Sequence, residues 1–62
     1  MKHYVKARRK GEPIAELIAE RDYYVSARIQ AINAFNTGLY DKVWVYPQGR
    51  ECYPELALDE NI

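Results

Sequence analysis

The sequence predicts a small α+β protein in the order ββαβ: an N-terminal hairpin, one amphipathic helix and a third antiparallel strand, with sheet order 2-1-3 and room for a short fourth strand. The first observation is strict alternation over residues 3–9, which places His3, Val5 and Ala7 on one face and Lys2, Tyr4, Lys6 and Arg8 on the other. The second is the stretch Asp22 to Gly38, which carries a start signal, a stop signal and apolar residues at helical spacing. The third is Lys42 to Tyr46, whose β-branched and aromatic residues favour a strand.

Between the first strand and the helix, Lys10 to Pro13 reads as a turn. Ile14 to Glu20 is ambiguous, because Ala, Leu and Glu favour helix while the position after a turn favours a returning strand. Register decides for the strand. With Val5 opposite Leu17, Ala7 meets Ala15, Tyr4 meets Ile18, Lys6 meets Glu16 and Lys2 meets Glu20.

In the helix, Asp22 is suited to the N-cap because its carboxylate can accept from the unpaired N–H groups of the first turn. Gly38 supplies a left-handed residue at the other end. Val25, Ile29, Ile32 and Phe35 form the stripe expected to face the sheet, and Ala27, Ala31 and Ala34 permit close packing. Pro47 to Arg50 is expected to turn the chain, after which Glu51 to Tyr53 could return as an edge strand until Pro54 stops it. The expected domain is therefore 1–54, and residues 55–62 form an acidic tail with at most a loose helical turn.

A chain of 62 residues forms one domain, and hides only about 60% of the surface its unfolded form exposes, so a homodimer would help it. With 48% hydrophobic and 29% charged residues it is globular in composition rather than disordered. The basic start has no apolar run behind it, which argues against a signal peptide or a membrane span. The single Cys52 cannot form an internal disulfide and suits a reducing cytoplasm. Nine bases balance nine acids, yet Lys2, Lys6, Arg8, Arg9 and Lys10 open the chain and Glu51, Glu55, Asp59 and Glu60 close it. Two solvated ends, or a basic strip tempered by an acidic tail, would both account for this sorting.

Chemistry is sparsely provisioned. One His, one Ser, one Thr and one Cys lie far apart in sequence, and the three glycines are isolated, so no catalytic, cofactor-binding or metal-ligating residues are assigned and no enzyme is expected. What remains is surface. If Val43 and Val45 face the helix, Trp44 and Tyr46 join Tyr4, Ile18, Lys6 and Arg8 on the open sheet face, and aromatics set among bases there suggest an interface. A larger protein is the expected partner; single-stranded nucleic acid, with bases stacking on the rings, is an alternative that zero net charge disfavours. The competing arrangement, with Trp44 in the core, turns the valines outward.

A second parse of the same residues exists. Ile18 to Ile32, with Ala19, Val25-Ser26, Ile29 and Ile32 at matching places, resembles the helix-turn-helix pattern, and Val43 to Tyr53 around Gln48-Gly49-Arg50 looks like the wing of small phage excisionases. That resemblance implies DNA binding, with Arg28, Gln30 and Asn33 in the major groove and Arg50 on phosphate. It departs from the pattern at Tyr23, where the family usually has Gly. The ββαβ parse, from Tyr4-Val5 through Ala19 and Asp22 to Val43–Tyr46, is similar in element order and size to small proteins that lytic phages make to inhibit host enzymes. That resemblance implies a non-enzymatic regulator that binds and blocks a host protein in the host cytoplasm, and it transfers no site residues.

Overall fold

The computed structural model describes residues 1–60: β1 (His3–Arg9), β2 (Glu16–Arg21), α1 (Tyr24–Asn36), β3 (Tyr40–Pro47) and β4 (Leu56–Asp59). All the strands pair antiparallel in the order β2-β1-β3-β4, with α1 against one face. The expected α+β fold and the central position of the first strand are both formed. Val5, Ala7, Val43 and Val45 point inward and are fully buried, because strand alternation sends the intervening residues to the other face.

The helix meets this face with a different stripe from the one expected. Ala27, Ala31 and Ala34 are buried, whereas Val25 is 62% and Ile29 is 54% exposed. At 100° per residue the two stripes lie on opposite sides of the helix, so only one can face the sheet. The alanines win because the sheet already presents two buried valines from β3 and one from β1, and short side chains let the helix backbone lie close to them. Tyr24 and Phe35, near the two ends of the helix on one flank of the alanine stripe, pack against the core, and Phe35 is half-buried rather than central.

The helix ends are likewise asymmetric. Asp22 does not cap: Tyr23 holds the N-cap position without a side-chain hydrogen bond, and the Asp22 carboxylate lies 3.4 Å from Lys2 Nζ. At the C-terminus the expected stop is present, with Gly38 at φ +81°. There the Thr37 hydroxyl donates to the Ala34 carbonyl at 2.6 Å and accepts from Leu39 N–H at 3.3 Å, so carbonyl and amide groups at the exit are satisfied locally.

The hairpin forms, but in another register. Val5 pairs with Ala19 and Tyr4 with Glu20; a bulge follows, and Lys6 pairs with Leu17 and Ala7 with Glu16. Ile14 and Ala15 stay in a long exposed turn that begins with Glu12 N–H donating to the Arg9 carbonyl at 3.0 Å. The displaced register brings Ala19 and Ile18 to the core and leaves Leu17, the residue expected there, 57% exposed. A bulge resolves the conflict between facing positions by adding one residue to one strand. Of the expected cross-strand ion pairs, Lys2 reaches Glu20 at 3.9 Å, while Glu16 pairs with Arg9 at 3.1 Å instead of with Lys6.

Because Ile18 to Arg21 belong to β2, the first helix of a helix-turn-helix is not formed, and the described residues contain one helix. The chain reverses after β3 through successive turns, Arg50 N–H to the Pro47 carbonyl at 3.1 Å and Tyr53 N–H to the Arg50 carbonyl at 3.2 Å. Pro47 is thus the first residue of its turn, with Gly49 third at φ +82°. Glu51 to Tyr53 are turn residues, and the fourth strand is Leu56–Asp59, drawn from the segment expected as a tail. The boundary expected at residue 54 therefore has no counterpart in the sheet; of the expected tail, residues 61 and 62 lie outside the described residues. The alternation of Leu56 and Leu58 against Val45 and Val43 is what recruits the segment.

Orientation of the helix is testable by ordering two substitutions. Ala31→Leu is expected to lower stability by about 1–3 kcal/mol through overpacking, whereas Ile29→Ala, on the exposed stripe, is expected to cost under about 1 kcal/mol. Urea denaturation of both variants checks this, and the reverse order would mean that the helix is rotated by half a turn.

Candidate binding surface on the open sheet face

The pleat that buries His3, Val5 and Ala7 turns Tyr4, Lys6 and Arg8 to the side of the sheet opposite the helix, and the one that buries Val43, Val45 and Pro47 does the same for Lys42, Trp44 and Tyr46. The registers then set these side chains in rows. Tyr4 lies opposite Tyr46, Lys6 opposite Trp44 and Arg8 opposite Lys42. Leu17 and Glu20 extend the rows on the β2 side, and Ala57 and Asp59 on the β4 side. The structure thus brings Tyr4, Lys6, Arg8, Trp44 and Tyr46 together on one face, and Trp44 is not in the core.

These aromatics are half-buried rather than free-standing, because each is flanked by a long side chain. Lys6 Nζ lies 5.5 Å from the Tyr46 ring centroid and Lys42 Nζ 5.7 Å from that of Trp44, within the range of cation–π attraction. The Trp44 and Tyr46 rings are 6.5 Å apart and tilted by 33°, an offset arrangement that leaves parts of both faces available. Burial raises the Tyr46 phenol pKa above the ordinary 10.0, and the nearby Cys52 thiol adds to the rise when it ionises.

The basic groups on this face are largely neutralised. Arg8 donates from Nε and Nη2 to the two carboxylate oxygens of Asp41 at 3.1 and 3.2 Å. Asp41 can reach it because a second bulge, between Arg8 and Arg9, leaves Asp41 without a partner in the β1/β3 register. The forked hydrogen bond raises the Arg8 pKa further, without any change of charge in the accessible range. Lys42 pairs with Asp59 at 3.3 Å. Among the described residues Lys6 forms no ion pair with a carboxylate and rests on Tyr46 alone. Lys42, legible from its alternation with Trp44, was missed as a member of the face; Asp41 and Asp59 carried no signal, since a bulge and an unexpected strand put them there.

The residues expected to contact DNA do not assemble. Arg28 and Gln30 point in directions about 160° apart around the helix, and Gln30 already accepts from Arg21 Nη2 at 3.1 Å. Asn33 is exposed on the helix, and Arg50 lines a separate cleft of about 440 Å³ beside Pro47, Tyr53 and Pro54. Val25 and Ile29 form a second apolar exposure on the outer face of the helix.

His3 is buried within β1, on the same face as Val5 and Ala7. Its Nδ1 lies 2.6 Å from Glu55 Oε1, and its ring meets Tyr24 edge-on at 6.1 Å. The pair ties the first strand to the entry of β4 and to the start of the helix. Ser26 and Cys52 are exposed, and the Thr37 hydroxyl is spent on the helix end, so this imidazole and carboxylate are not joined by a nucleophile. Among the described residues no three of His, Cys, Asp and Glu gather as metal ligands, and no helix is long and apolar enough to cross a membrane. Comparison of the chain with protein-family models, with curated proteins and with solved structures gives no match.

Tyr46 offers a pH test of the face. A phenol held protonated by the fold keeps a proton that the unfolded chain releases, so its contribution to stability is fully present below the unfolded value near 10.0 and is lost as pH rises through the higher folded value. Stability is therefore expected to fall above pH 10.0, and Tyr46→Phe should remove part of that fall along with the last-titrating phenolate in an ultraviolet titration. An unchanged phenolate titration would place Tyr46 in ordinary solvent.

Proposed function

We propose that this protein is a small non-enzymatic regulator that binds a larger protein through the open sheet face, blocking or modulating that partner. The observation that supports this reading is the contiguous row of Tyr4, Tyr46 and Trp44, uncovered by any element of the fold. Aromatic groups held at fixed spacing on a rigid sheet, beside charges that are already paired, resemble the centre of a protein interface, where large rings supply contact area and charged groups are few.

The alternative of a single-stranded nucleic-acid surface would use the same rings for stacking, and it needs free bases to follow the phosphates. Here Arg8 and Lys42 are engaged by Asp41 and Asp59, which leaves Lys6 to meet a backbone. Net charge is zero, so long-range attraction to a polyanion is also lacking. Duplex binding through Arg28, Gln30, Asn33 and Arg50 has no helix pair to support it. A phage or other mobile element and the host cytoplasm remain the proposed setting, on the resemblance in element order and size alone.

Capture from a cell extract on immobilised wild type, Trp44→Ala, Lys6→Glu and Arg28→Ala tests the proposal. A protein retained by wild type and by Arg28→Ala, and lost by at least about tenfold on the other two, is expected. Because Trp44 is half-buried, circular dichroism must show Trp44→Ala folded; Lys6→Glu changes charge with little packing. Salt-sensitive binding of a single-stranded oligonucleotide that quenches Trp44 fluorescence, or of a duplex that disappears with Arg28→Ala, would overturn it.

A further inference from the structure

The two edges of the sheet differ in a way that bears on assembly. An edge strand exposes unpaired backbone groups, and proteins blunt such edges with bulges and charge. On β2 both devices are present: a bulge opposite Val5 and Lys6, and the charged Glu16, Glu20 and Arg21 along six residues. On β4 the core is Leu56-Ala57-Leu58, its register with β3 is unbroken from Leu56 to Asp59 after an irregular entry in which Glu55 N–H donates to the Val45 carbonyl at 2.7 Å, and it contains no proline.

The outward groups of β4 can be identified. Glu60 N–H donates to the Asp41 carbonyl at 3.1 Å, and this pair continues the register that sets Leu58 against Val43 and Leu56 against Val45. In an antiparallel ladder, bonded and non-bonded pairs alternate, so residues 56, 58 and 60 direct their backbone toward β3 and Ala57 directs its N–H and carbonyl away from it. The helix packs chiefly over β3 and β1 and least over β4, leaving Leu56 and Leu58 half-buried on that side.

We propose that β4 pairs with β4 of a second copy of this chain, antiparallel about a twofold axis at Ala57, so that a single sheet runs through both copies. The segment is its own complement. In that register Ala57 meets Ala57 of the second copy and exchanges two backbone hydrogen bonds with it, while Leu56 meets the second copy's Leu58, and Leu58 its Leu56, on the helix side. Glu55 and Asp59 come to face each other across the axis, where Glu55 keeps its hydrogen bond to His3 and Asp59 its ion pair with Lys42 within each copy. On the open side the two Trp44 residues stand three strand spacings apart, about 14 Å, with only the small Ala57 pair between them. The dimer therefore has a trough floored by alanine and walled by indole that neither copy has alone. A contact centred on so short a strand falls below the roughly 1,200 Å² of stable interfaces, so the dimer is a weak, reversible one. The inference stands on the edge geometry and does not require the open face to bind anything.

Sedimentation of the purified full chain, from dilute to about 1 mM, is expected to show concentration-dependent dimer. Ala57→Pro, which removes an outward N–H and none that serves the ladder, is expected to weaken association by at least about tenfold with the circular dichroism spectrum retained. Independently of how that variant folds, Ala57→Cys in a Cys52→Ser background should oxidise to a disulfide dimer faster than wild type does through its exposed Cys52, since facing Cα atoms in a bonded pair are about 5.5 Å apart. A monomer at about 1 mM, association unchanged in folded Ala57→Pro, or oxidation at 57 no faster than at Cys52 would overturn the proposal.

Discussion

The close approach of α1 to the sheet, made through Ala27, Ala31 and Ala34, is the constraint on which the rest of the structure depends. With methyl groups at the contact, the helix brings little side-chain volume to the core, and the sheet must supply the rest. It does so with Val5, Val43 and Val45, the largest fully buried side chains, and with half-buried residues from every other element around them. A core this shallow needs a wide sheet. That is why Leu56 and Leu58 are drawn in from a segment dense in acids, and why those acids acquire local partners: Glu55 with His3, Asp59 with Lys42 and Glu60 with Lys10.

The same constraint explains the open face. One helix of 13 residues covers one side of a four-stranded sheet, and among the described residues no second layer covers the other. Residues on that side must be tolerable to water and yet favour strands, a requirement met by tyrosine, tryptophan and the long stems of lysine and arginine. Their packing against one another gives a surface that is ordered without being closed. Ion pairs placed by one bulge, at Arg8/Arg9, and by β4 then remove most of its charge, which weakens the attraction of the face for polyanions.

The two bulges link strand register to the make-up of the open face. One, between Val5 and Lys6, rotates Leu17 from the expected core to the open face, and the other, between Arg8 and Arg9, delivers Asp41 to Arg8. Each changes which side chains are available outside without changing the order of the strands. From Leu56 to Asp59 β4 keeps one register, and its difference from β2 is the basis for the proposed assembly through that edge.

By itself the sequence determined the ββαβ order of the first four elements, the central place of β1, the stop at Gly38 and the alternation that sets Trp44 and Tyr46 on the face opposite Val43 and Val45, while leaving open which pair meets the helix. These follow from local periodicity, and the period of two along β1 and β3 leaves only one assignment of faces once the valines are buried. Tertiary structure alone decided the rest. Val25 and Ile29 against Ala27 and Ala31 are equally good stripes on an isolated helix, and only the depth of the sheet's valines selects the smaller one. Asp22 is a sound cap in isolation, but Lys2, just before β1, competes for its carboxylate. Leu17 and Ala19 alternate identically along β2, so their roles were fixed by a bulge that no local pattern marks, and β4 exists because β3 offers Leu56 and Leu58 a partner that the acidic composition of the segment conceals.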